Sequence, residues 1–123
     1  MHRSRLGCLV IDCRTDDGLE PSARFWAGAL GLEVAELDPP YAVLSGPERE
    51  VKVLVQMVDH EPRVHLDIEC NDKSAEIARL EALGATPVAA IKDWVVMQAP
   101  TGHRFCVVNP QRADFADNAT AWG

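Results

Sequence analysis

Apolar and polar residues alternate along Val64-His65-Leu66-Asp67-Ile68-Glu69-Cys70, the period-two pattern of a β-strand with two different faces. Successive side chains point to opposite sides, so Val64, Leu66, Ile68 and Cys70 are predicted to face the core. His65, Asp67 and Glu69 then face the side open to chemistry. Gly7-Cys8-Leu9-Val10-Ile11-Asp12-Cys13 is an earlier version of the same segment.

In chain order the pattern predicts a first strand from Leu6 to Cys13 and a polar loop, Arg14-Thr15-Asp16-Asp17-Gly18. A helix follows: Pro21 suits a first turn, Leu19, Ala23, Trp26 and Leu30 recur at helical spacing, and Gly31 suits a left-handed cap. Phe25-Trp26 is expected to pack this helix on a sheet. Strands are predicted at Leu32 to Leu37, at Tyr41 to Leu44 after the Pro39-Pro40 break, and at Val51 to Val58. After the Val64 to Cys70 strand, Asn71-Asp72-Lys73-Ser74 offers an N-cap for a helix from Ala75 to Leu83. Its apolar stripe is Ile77, Leu80 and Leu83, with Glu76, Arg79 and Glu81 in water. Three more strands follow, Thr86 to Ala90, Trp94 to Gln98 and His103 to Val108.

Each half therefore reads strand, helix, three strands. Cys13 and Cys70 end equivalent strands 57 residues apart, whereas Gly31 and Gly84, Tyr41 and Trp94, and Pro47 and Pro100 are each 53 apart. A loop about four residues longer before the first helix accounts for the change. Two copies at a period above 50 predict a pseudo-symmetric α+β domain rather than a solenoid. The modules cover about residues 5–58 and 63–110, followed by a tail at 111–123 whose Phe115 and Trp122 pack on this domain or on a second subunit.

Composition narrows the functional classes. The 123 residues are 47% hydrophobic, enough for one domain. Twelve basic against 19 acidic residues give a net charge of −7, which disfavours nucleic acid and anionic membranes. No stretch approaches the ~20 apolar residues of a spanning helix, and the opening Met-His-Arg-Ser-Arg leads into a strand pattern, so a cytoplasmic location is expected. The four cysteines form no Cys-x-x-Cys pair and are expected as free thiols, each by default a small buried hydrophobe. His2, His60 and His103 are expected in solvent.

The doubled order of elements, Ala23-Arg24-Phe25-Trp26 with Leu30-Gly31-Leu32, His65-Leu66-Asp67-Ile68, Leu80-Glu81-Ala82-Leu83-Gly84-Ala85, and Ala99-Pro100-Thr101-Gly102-His103-Arg104-Phe105-Cys106 together resemble the vicinal oxygen chelate superfamily. The nearest branch is the glyoxalase/bleomycin resistance/dioxygenase type, and the resemblance runs from Leu6 to about Pro110. It implies two tandem βαβββ modules forming an open, incomplete barrel with helices outside, a small organic molecule in the cleft, and a homodimer. It also implies a divalent metal held by inward positions on the first and last strand of each module, here Cys8, Gln56, His65 and Cys106. Metal-dependent members mostly present His, Glu or Gln there. His65 and Gln56 fit that rule; the two thiols depart from it and suit either a Cys2His zinc site or plain core packing.

Asp67 and Glu69 share the His65 face and are candidates for acid or base, or for binding a polar ligand; ordinary barrel-mouth charge is the alternative. Tyr41 and Trp94, equivalent by the repeat, are candidate aromatic walls of the cavity or core residues. The functions in view are a metal-dependent lyase, isomerase or dioxygenase-like enzyme, a metal-free binding or sequestering protein of the drug-resistance kind, and a subunit whose cleft has degenerated.

Overall fold

The computed structural model describes residues 1–14, 16, 18–47 and 50–123; Thr15 and Asp17 of the predicted first loop lie outside them. The chain forms two compact units, Leu9–Val64 and Met1–Cys8 with His65–Gly123. The first strand, β1 (His2–Arg14), contributes to both.

In the unit Leu9–Val64, β1 leads to helix α1 (Leu19–Leu30) and strands β2 (Glu33–Asp38), β3 (Tyr41–Ser45) and β4 (Lys52–Val58). The last three form an antiparallel set in the order β2-β3-β4. Helical spacing brings Leu19, Ala23 and Ala27 onto one face of α1, where they meet Cys13, Ala42, Leu44 and Val55, with Trp26, Val53 and Met57 packed against them. Gly31 ends the helix at φ 71°, a conformation glycine adopts without Cβ strain, and the Leu32 N–H closes on the Ala27 carbonyl at 2.8 Å. Phe25 departs from expectation. It is 63% exposed, because one residue before Trp26 it lies about 100° around the helix from the buried stripe.

In the other unit β5 (Arg63–Cys70) leads to α2 (Lys73–Ala82), β6 (Thr86–Ile91), β7 (Trp94–Gln98) and β8 (Arg104–Val108). The strand order is β5-β8-β7-β6, with β5 and β8 parallel and the other pairs antiparallel. Its core is Cys70, Leu80, Ala85, Met97 and Val107. Asp72 caps α2 by accepting the Ala75 N–H at 3.0 Å, as the polar run predicts. The α2 faces need two corrections. Leu83 is 67% exposed, beyond the helix end, and Glu76 is fully buried instead of solvated. Arg79 grips Glu76 through both carboxylate oxygens at 2.8 Å, and His2 Nε2 stands 2.8 Å from Oε1, which also removes His2 from the solvated set.

The tail packs on its own chain. After α3 (Phe115–Asn118), which buries Phe115, β9 (Thr120–Trp122) pairs antiparallel with the start of β1. Trp122 donates its indole N–H to Ser4 Oγ at 2.8 Å and lies 3.9 Å beneath the Arg79 guanidinium, so charge, stacking and hydrogen bonding converge there.

The class is α+β and each half has the predicted βαβββ order. The repeat extends to irregularities. The β2/β3 ladder shifts register between Val34 and Glu36, and β6/β7 shifts between Pro87 and Ala89, each 53 residues on. Cys13 donates its thiol to the Gln56 carbonyl at 3.4 Å, while Cys70 donates to the Val108 carbonyl at 3.6 Å.

Candidate functional site

Strand β5 alternates as predicted, but its faces differ from expectation. Val64 and Leu66 are 56% and 44% exposed, while Asp67 and Glu69 are 9% and 0% exposed. The polar face is thus the more enclosed one along most of the strand. Burying two carboxylates requires partners, and each residue solves this differently.

Glu69 is fully partnered. It accepts from Arg5 Nε at 2.6 Å, from Arg112 Nε at 3.3 Å, and from the backbone N–H groups of Gln111 and Arg112 at 2.6 and 3.0 Å. Arg5 also reaches Asp114 at 2.6 Å, and Arg112 donates to the Leu6 carbonyl at 2.6 Å. A Cβ on Gly7 would stand 2.9 Å from Glu69 Cβ and Cγ, so glycine is required there by space. Glu69 is therefore a latch between β1, β5 and the tail. An acid or base role is removed for it, because every approach to its oxygens is taken by a fixed donor.

Asp67 is different. Its Oδ1 is buried with no hydrogen-bond donor among the described residues, and His65 Nε2 lies 3.4 Å away without the alignment of a hydrogen bond. The parallel β5/β8 register places Asp67 directly beside Cys106, and His65, two residues earlier, shares the face. One donor atom from each of His65, Asp67 and Cys106 lies within 4.8 Å of the other two. His65 is the least buried of the three.

Of the remaining candidates, Cys8 is fully buried on β1 and stands outside this cluster. Gln56 is half-buried and opposite Tyr41 across β3/β4. Trp94 is half-buried and opposite Ile91 across β6/β7. Register also corrects one equivalence. Val43 pairs with Leu54, and Val96, its counterpart 53 residues on, pairs with Cys106. The thiol bonds agree, since Gln56 answers to Val108. The counterpart of Cys106 is therefore Leu54 rather than Gln56.

His103 is exposed and its Nδ1 is 2.8 Å from Thr101 Oγ1. His60 is partly engaged, with Nδ1 2.8 Å from the Glu61 carbonyl and Nε2 3.1 Å from Arg63 Nη2. Reading by residue type alone weighs Asp67 as acid or base, or as binding a polar ligand; its place beside a thiol emerges from the pairing of β5 with β8. The signal within reach of sequence was His65-x-Asp67 on one strand face together with Cys106.

The donor set, one imidazole, one carboxylate and one thiol, suits a divalent ion of the zinc or iron kind with a position left open. The buried, unbonded Asp67 Oδ1 is the kind of atom such an ion satisfies.

The model of the glyoxalase-like domain family matches residues 8–108. No curated protein sequence matches significantly. Among solved structures, a protein described as an NAD-dependent benzaldehyde dehydrogenase from Legionella pneumophila superposes with a TM-score of 0.63 at 13% identity, covering 85% of this chain and 98% of that one. A variant of homoprotocatechuate 2,3-dioxygenase from B. fuscum gives 0.60 at 15% identity, over 88% of this chain and 33% of that one, so this chain spans about a third of the dioxygenase. A glyoxalase/bleomycin resistance protein/dioxygenase superfamily member from Vibrio splendidus 12B01 gives 0.50 at 20% identity, over 87% and 99%. These similarities are similarities of fold. Among the described residues no helix is long and apolar enough to cross a membrane.

Proposed function

The chain belongs to the glyoxalase-like domain family, and from that premise we propose that it binds a small organic molecule at His65, Asp67 and Cys106, with a divalent metal held by those three side chains. The reaction class this supports is that of a lyase or isomerase, or a dioxygenase-like reaction. The single observation that carries the reading is the buried Asp67 Oδ1, unbonded and within 4.8 Å of an imidazole nitrogen and a thiol sulfur. A bound divalent ion supplies Lewis acidity that polarises a substrate oxygen. Asp67, 9% exposed, compensates positive charge in an enclosed site. Trp94, on the same unit as the three donors, is proposed as an aromatic wall. The proposal extends to a cytoplasmic homodimer without nucleic-acid or membrane partners.

Elemental analysis of untagged protein expressed with zinc, iron and manganese tests this. The expected result is about one equivalent of one metal, lost in His65→Ala. Less than about a tenth of an equivalent in the native chain overturns it. One observation favours a second reading, a metal-free ligand-binding or sequestering protein: Leu54, an apolar residue, is the register counterpart of Cys106, so the first module offers no matching donor. Under that reading the metal-free protein shows thermal shifts with small organic ligands that added zinc leaves unchanged.

A further inference from the structure

A second site lies wholly within the unit Leu9–Val64 and shares no residue with the His65 cluster. An open groove of about 530 Å³ runs along α1, walled by Pro21, Phe25 and Trp26 on one side and by Pro62 and Val64 on the other. Phe25 and Val64 are 63% and 56% exposed, so apolar surface faces the groove. The Phe25 and Trp26 rings meet edge to face, with centroids 5.1 Å apart at 87°, one of the arrangements aromatic pairs prefer.

Charge in the groove is ordered. Asp12 is 3% exposed and lies at its base, with Arg63 Nε 3.8 Å from Asp12 Oδ2. The opposite end of the Arg63 guanidinium rests on His60 Nε2 at 3.1 Å. Because arginine only donates, His60 Nε2 accepts, and Nδ1 donates to the Glu61 carbonyl at 2.8 Å. Asp12 and His60 thus orient a guanidinium whose side chain is still 54% exposed. Arg63 is the accessible charge, and its remaining N–H donors match a carboxylate.

We propose that this groove binds a small aromatic carboxylate, its ring against Phe25 and Trp26 and its carboxylate on Arg63. The site is independent of the metal proposal. The test is titration of 3-phenylpropionate into the full chain, followed by NMR at the Trp26 indole and the Phe25 amide, beside 3-phenylpropionamide, 3-phenylpropylamine and hexanoate. The expected result is saturable binding with a Kd of about 1 mM, weakened about tenfold or more in Arg63→Gln and in Phe25→Ala and for the amide, the amine and the aliphatic acid. Both variants alter exposed side chains, and circular dichroism together with metal content equal to the native protein verifies that they fold and keep the other site. Equal binding of the amide or amine, or binding unaffected by either variant, overturns the proposal. So does the absence of saturable shifts at Trp26 and Phe25, or self-association that Phe25→Ala abolishes, which would make the groove a contact between copies.

Discussion

The two modules can be compared position by position, because their offsets are now anchored by pairing as well as by sequence. They share the scaffold: a glycine with positive φ after each helix, a register shift at the same place in each outer hairpin, and a thiol donating to a carbonyl of the last strand. Each also buries a carboxylate at the same strand position, Asp12 beside Arg63 and Glu69 beside Arg5 and Arg112. They differ in chemistry. The counterparts of His65, Asp67 and Cys106 are Cys8, Val10 and Leu54, by an offset of 57 on the first strand and by ladder register on the last. Both modules keep what folding needs, while among the described residues the grouping of an imidazole, a carboxylate and a thiol occurs on the second module. The outer strands diverge in a related way. Strand β2 carries Glu33, Glu36 and Asp38, whereas β6 has no charge and is blunted by Pro87 and its bulge, two different defences of an exposed edge.

The largest expected effect separates the two buried carboxylates. Glu69→Ala removes the carboxylate shared by two arginines, each at most 15% exposed, and leaves the Gln111 and Arg112 N–H groups without their acceptor; it is expected to cost about 3 to 5 kcal/mol in urea unfolding. Asp12→Ala removes a looser pair at 3.8 Å and is expected to cost about 1 to 3 kcal/mol. Equal costs would show that the tail latch adds nothing to the second module. Gly7→Ala comes next, at about 1 to 3 kcal/mol, because the new methyl meets the Glu69 stem at 2.9 Å.

Most of the scaffold was legible in the sequence, since alternation, helical spacing and cap glycines are local signals. Partnering across distance was less so. Glu76 reads as a solvated helix residue until His2 and Arg79 are brought to it, and Glu69 reads as chemistry until Arg5 and the Gln111-Arg112 backbone close on it. The adjacent aromatics Phe25 and Trp26 invite a shared role, whereas a helix turns about 100° between them and leaves Phe25 exposed. For the candidate site, His65 is legible from the alternation of its strand, and Cys106 from the resemblance. Asp67 as a third donor and Leu54 as the counterpart of Cys106 depended on ladder register, which no local pattern encodes.

Smaller effects concern titration and thiol reactivity. Burial alone would push the Glu76 carboxyl up, but hydrogen bonds from Arg79, His2 and Ser4 outweigh it and hold it below its ordinary value. A depressed folded-state pKa contributes stability above the unfolded value and loses it as pH falls through the folded one. Acid unfolding followed below about pH 4.5 is therefore expected to be less steep in Glu76→Gln. An unchanged slope would assign the acid sensitivity elsewhere.

Burial pushes the Cys70 thiol up to about 11, and Cys8 and Cys13 are also buried. With metal chelated, a disulfide reagent at about pH 8 is expected to modify Cys106 first; early loss of Cys70 would contradict this account of the second core.

The difference between the modules is tested most directly by the metal content of two matched variants, Cys8→Ser and Cys106→Ser, purified without chelator from the same supplemented culture. Cys8→Ser is expected to keep the native stoichiometry and Cys106→Ser to lose it, with both remaining folded. Loss of metal from Cys8→Ser to the same extent, or retention in Cys106→Ser, would contradict a centre built from His65, Asp67 and Cys106 on the second module alone.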